Sequence, residues 1–426
     1  MATVQSIQSE FLHSVKLGTG RAYLLAKAHP EVDFSAAIIK AALRNFAYDG
    51  QAEGSRAQYV YDLYCLSSRP AAIRRAVLQE LAREQEDTWA LNQLFELALF
   101  FAKEGDATAR KTLYKQFLRK PAARADWLGA YELIALDGLV GLIFIARKYG
   151  QALAKDPNDW QDDDIIESFQ KEHPAGDAWA ELRQVAEQDA DVHRYLQNVE
   201  ATMAQQAAYE QPAVSTDLEV ALQEPHQRHL FLRLMRNQET FDLQPLAERL
   251  LTEKNMNVRE NLLFIFTLHP YPLDYHPILT IARQKPSRRN RITEYAVEAL
   301  KHLQAPEIRE FALQRLASTT QPALYTDILV SNYQPGDAAL LTAVVARFHA
   351  AHIIESLAVS YIEIYRANPT PECAAPLLAL YQKMTCSIHR TDVVELLIAN
   401  NVLPPWLNDE LPFDSNAATR LLHQPH

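Results

Sequence analysis

The chain has 426 residues, 48% of them apolar and 22% charged, with a formal net charge of −11 at pH 7. That length exceeds one ordinary core, the apolar share excludes disorder as the dominant state, and the acidic balance disfavours a dedicated nucleic-acid binder. Glycine is scarce, 11 in all, and after Gly176 only Gly336 remains. Tight hairpins and nucleotide-binding loops need glycine, whereas long stretches of Ala, Leu, Glu, Gln and Arg favour helices. The expected fold class is therefore all-α. Cys65, Cys373 and Cys386 are too few for a disulfide framework, and an odd count points to reduced thiols and a cytoplasmic setting. Met1-Ala2-Thr3-Val4-Gln5 lacks the basic-then-apolar pattern of a signal peptide.

In chain order, apolar periodicity predicts helices over 34–48, 57–66, 71–84, 89–103 and 107–118. The most apolar run, 133–146, is too short for a bilayer and reads as one buried helix, so no membrane partner is expected. Gly138 and Gly141, three apart on that helix, would admit a neighbouring helix. Charge is uneven: residues 1–150 sum to about +3 and 151–210 to about −10. Asp156-Pro157-Asn158-Asp159-Trp160-Gln161-Asp162-Asp163-Asp164 is an acidic interruption with no basic residue in it. The polar stretch 200–214, ending near Gln211-Pro212, suits a helix end followed by a linker. The expected organisation is thus an N-terminal helical array (1–150), an acidic irregular segment with linker (151–215), and a C-terminal array with a cap (216–426).

The second half is the more regular. Val258 opens a helix to Leu268 that is apolar nearly all round, and His269-Pro270-Tyr271-Pro272 ends it before a partner over 278–283. From Arg291 to Leu303 the apolar residues Ile292, Tyr295, Ala296, Ala299, Leu300 and Leu303 form one helical stripe. Pro306 then suits the first turn of the next helix, where its missing N–H costs nothing. Asp337 offers an N-cap before Leu340, Leu341, Val344, Val345 and Phe348. Further helices are expected over 353–367, 372–383 and 392–400. Hairpins recur about every 32–37 residues, in the range of helical repeats.

The triplets Val258-Arg259-Glu260 and Ile308-Arg309-Glu310, each opening a helix after a polar turn, resemble the HEAT-repeat signature. Ile73-Arg74-Arg75, after Ser68-Arg69-Pro70, is a third instance. Armadillo repeats look similar at this level. The resemblance covers 217–400 and 33–125 but not 151–215. It implies a superhelical α-solenoid of stacked antiparallel helical hairpins with a surface for partners, and no particular partner or reaction.

Catalytic motifs are missing. There is no Gly-x-Ser-x-Gly and no phosphate-binding loop, and Gly18-x-Gly20 lacks a third glycine, so neither a cofactor nor enzymatic activity is expected. The cluster Asp156, Asp159, Asp162, Asp163 and Asp164 reads as a solvated loop or a surface for a basic partner. The turn with Arg283, Lys285, Arg288, Arg289 and Arg291 reads as an ordinary charged connection or a site for phosphates or an acidic peptide. His226-x-x-His229 and His349-x-x-His352 have metal-compatible spacing without a third ligand, and the second pair is expected to pack at the core's edge. Cys386-x-x-His389 is half of a zinc motif without its other half, and no metal is expected. Trp406 and Phe413 form either a terminal cap or an exposed partner patch. The resulting expectation is a non-catalytic scaffold or adaptor that binds a protein partner, with a nucleic-acid-binding HEAT-like protein as the alternative.

Overall fold

A computed structural model describes residues 3–83, 86–119, 127–208, 218–223 and 242–425. Every regular element among them is a helix. The chain divides into two compact units, one of Met1–Pro212 with Glu410–Leu421, the other of Ala213–Asp409 with Leu422–His426. Gln211-Pro212 and the pair His226 and His229 lie outside the described residues.

In the first unit, short polar side chains start the helices. Thr3 Oγ1 accepts the Ser6 N–H at the head of Val4–Leu17, and Asp87 and Asp106 cap Thr88–Lys103 and Ala107–Gln116 in the same way. Thr88–Lys103 is the centre of this unit: Leu91, Leu94, Phe95, Leu97, Ala98 and Phe101 are fully buried on it. Each of its large side chains contributes about 1.5–3 kcal/mol by leaving water. Around it pack Ala57–Cys65, Pro70–Ala82, Ala107–Gln116 and Ala130–Asp137.

The apolar run 133–146 is not one helix. Gly138, at φ 56° and ψ −129°, separates Ala130–Asp137 from Leu139–Leu153. That conformation is closed to residues with a side chain, so the glycine folds the run back on itself. Gly141 does permit close approach: a Cβ there would stand 2.3 Å from the Leu133 carbonyl oxygen. Leu139–Leu153 then packs along Ala190–Ala208.

A segment from near the C-terminus completes this unit. Phe413 stacks on Tyr23 with ring centroids 4.1 Å apart, the Ser415 N–H donates to the Gly18 carbonyl at 2.8 Å, and Arg420 pairs with Asp62 at 3.0 Å.

In the second unit the helices alternate with short connections and pack on their chain neighbours. Met256–Leu268 and His276–Ala282 both pack on Ile292–Ala299, Asp337–Arg347 on Ala374–Tyr381, and Ala351–Ala367 on Ser387–Ala399. Pro306 occupies the first turn of Pro306–Leu316, as its ring geometry favours. Asp337 does not cap its helix as expected. It is already the first helical residue, and its carboxylate is drawn off to Arg309, which donates to both oxygens at 2.6 and 2.7 Å. Nor do His349 and His352 pack at the core's edge; both are exposed, in and just after the break between two helices. The helix expected over 392–400 starts earlier, at Ser387, and runs to Ala399.

Candidate functional site

That earlier start changes the meaning of Cys386-x-x-His389. Cys386 becomes the N-cap of Ser387–Ala399 and His389 falls in its first turn. Residues three apart share a helix face, so both side chains reach the same neighbour. The neighbour is Glu355, on the buried side of Ala351–Ala367. Glu355 Oε1 accepts the Thr385 N–H at 2.7 Å, the Cys386 N–H at 2.9 Å and the Thr385 hydroxyl at 3.2 Å. Its other oxygen lies 3.2 Å from His389 Nδ1. Ligating atoms of Glu355, Cys386 and His389 all lie within 4.8 Å of one another, the single such group of three among the described residues.

Burial and charge make this cluster unusual. The Glu355 side chain is 3% exposed and that of His389 27%. Hydrogen bonding to Cys386 and then to Glu355 outweighs burial and lifts the His389 imidazolium to about 10, far above the usual histidine range. The carboxylate also sits at a helix N-terminus, where the backbone dipoles favour negative charge. The arrangement can hold a proton tightly, or hold in its place a cation with affinity for sulfur, nitrogen and oxygen together.

A second buried acid has a structural account. Burial pushes the Glu132 carboxyl up to about 7, with the Glu96 carboxylate adding to the shift, while the N–H groups of Glu132 itself and Gly129 oppose it. Glu132 thus closes the first turn of Ala130–Asp137. Glu96 in turn accepts from Asn92 at 2.9 Å.

The residues singled out from sequence distribute as follows. Asp156, Asp159 and Asp164 are exposed and Asp162 and Asp163 half-buried, around Trp160, which is 59% exposed. Asn198 pins the loop by donating to the Asp159 carbonyl at 3.0 Å and accepting the Gln161 N–H at 2.8 Å. Desolvation raises the Asp162 carboxyl, and the carboxylates of Asp164 and Asp163 raise it further. Burial raises the Tyr131 hydroxyl, and the carboxylates of Asp164 and Asp162 raise it further.

Arg283, Lys285, Arg288 and Arg289 are exposed together on one connection. Arg291 is not available with them: it pairs with Glu294 and lies over the Tyr295 ring, 4.6 Å from its centroid. Phe413 is spent on Tyr23, whereas Trp406 stays 43% exposed with its edge to Tyr381.

Sequence reasoning missed Glu355. One signal was present: Glu355, Ala358, Ile362 and Tyr365 fall on a single helix face on which every other member is apolar. No helix among the described residues is long and apolar enough to cross a membrane. Compared with known proteins, the chain matches no family model, no curated protein and no solved structure.

Proposed function

We propose that the chain is a non-catalytic scaffold whose helical hairpins stack as HEAT-like repeats and hold a protein partner on their surface. The observation that carries this reading is the local packing of the second unit, where helices rest on those one to three places along the chain. Arg309, in the Ile308-Arg309-Glu310 triplet, reinforces one such junction by reaching from Pro306–Leu316 to Asp337 and the Asn332 carbonyl. Stacking of this kind builds long surfaces in preference to deep pockets, which suits a polypeptide better than a small substrate.

The acidic loop is the favoured contact. An exposed indole among carboxylates offers a lysine or arginine both a ring face and an ion pair, so a basic segment is the fitting partner. In a capture experiment from nuclease-treated native lysate, tagged protein should retain a stoichiometric protein partner. The combined variant Asp156→Lys, Asp159→Lys and Trp160→Ala should lose at least about tenfold in that partner's affinity. Recovery of nucleic acid alone from a parallel untreated lysate, released at moderate salt, would instead favour the exposed cations at 283–289 and overturn the scaffold reading.

A further inference from the structure

We infer that Glu355, Cys386 and His389 form a zinc site with three protein ligands and a fourth position left to solvent. The donor set comes first. A thiolate, an imidazole and a carboxylate together suit zinc, whereas magnesium and calcium take oxygen ligands. Spacing agrees with it. Two ligands of one tetrahedral zinc, each about 2.0 Å from the metal, stand about 3.3 Å apart. Glu355 Oε2 and His389 Nδ1 stand 3.2 Å apart, and a Cys386 donor completes the group within 4.8 Å.

The carboxylate is also held in advance. Three donors from Thr385 and Cys386 fix Oε1 and leave Oε2 turned toward His389, as outer hydrogen bonds do for the ligands of a metal. A plain ion pair between Glu355 and His389 needs no sulfur at 386, although Cys386 does hydrogen-bond His389. As an N-cap, cysteine is a poor choice beside serine, threonine or aspartate, and Cys386 makes no capping bond with its side chain. A metal accounts for the cysteine and the other two residues at once. It would tie Ala351–Ala367 to Ser387–Ala399, two helices that already pack together. Solvent reaches the site on the partly exposed His389 side. Zinc entry displaces the thiol proton of Cys386 and a ring proton of His389 into solvent.

The test uses the full chain, stripped with a chelator and then reloaded with zinc or with cobalt(II). The expected result is about one zinc per chain by elemental analysis and, with cobalt, a thiolate-to-metal charge-transfer band of a tetrahedral centre. Cys386→Ser should abolish that band, and His389→Gln should weaken zinc binding at least about 100-fold. Glu355 also anchors the Thr385 and Cys386 N–H groups, so its variants risk misfolding. The two ligand variants therefore carry the test, each checked for native helicity by circular dichroism. Absence of retained zinc together with absence of a cobalt band in the parent protein would overturn the site. Stoichiometric metal persisting in the variant carrying both Cys386→Ser and His389→Gln would place the ion elsewhere and overturn it equally.

Discussion

Glu132 is the third residue of Ala130–Asp137, and its carboxyl is buried with a pKa of about 7 instead of 4.5. A carboxyl raised in this way binds more protons in the folded chain than in the unfolded one. Its favourable share of stability is complete below pH 4.5 and is lost as the pH climbs through about 7. Glu132→Gln keeps the acceptor oxygen and cannot ionise. Between about pH 5 and about pH 8 the variant should therefore gain on the parent, by on the order of 2–3 kcal/mol. Thermal melts of both proteins across that range would show the two curves diverging; parallel curves would mean that Glu132 does not titrate as described. At this scale the sequence is least legible. Cys386 and His389 stand three apart and are visible as a pair, but Glu355 is 31 residues from Cys386, and only the packing of two helices brings it there. The basic turn illustrates the converse. Five cations read alike in sequence, and the fifth, Arg291, is withdrawn by Glu294 and Tyr295, whose own placement follows from the helix Ile292–Ala299.

Among the elements, the hinge at Gly138 is the sharpest test of local backbone chemistry. An alanine there would be forced into a region that only glycine visits freely, at a cost of about 1–3 kcal/mol. Gly138→Ala should lower the melting temperature of the protein, and hydrogen exchange should quicken first in Ala130–Asp137 and the start of Leu139–Leu153. An unchanged melt would show that the corner tolerates a Cβ. Composition alone predicts a single buried helix here, because its apolar residues run on through the glycine; hydropathy records burial and is blind to a reversal of direction. Elements with explicit punctuation are read more easily. Pro306 marks a helix start, and the stripe of Ile292, Tyr295, Ala296, Ala299 and Leu300 marks the buried face of the helix before it, all five being buried in the structure. Asp337 misleads because aspartate near a helix start has two uses, capping and ion pairing, and Arg309 selects the second.

For the molecule as a whole, the decisive feature is that Glu410–Leu421 belongs to the same unit as the first helices. Phe413 lies flat on Tyr23, so Phe413→Ala removes a stacked partner at a cost of about 2–3 kcal/mol. With two units present, a single unfolding free energy is poorly defined, and hydrogen exchange read segment by segment is the better measure. Protection should fall in Arg21–Ala28 and Val4–Leu17 and hold in Met256–Leu268; unaltered exchange in the first two helices would show that the stack adds nothing. The same arrangement bears on synthesis. A ribosome releases the chain in order, and the first unit is without its closing piece until almost all of the second has been made. Loop closure across that sequence distance is slow, so a stalled or shortened transcript yields an N-terminal product lacking the partners of Tyr23 and Asp62. Quality-control proteases would meet such a product as an incomplete fold, whereas a chain made through Leu421 has the segment that seals its first helices.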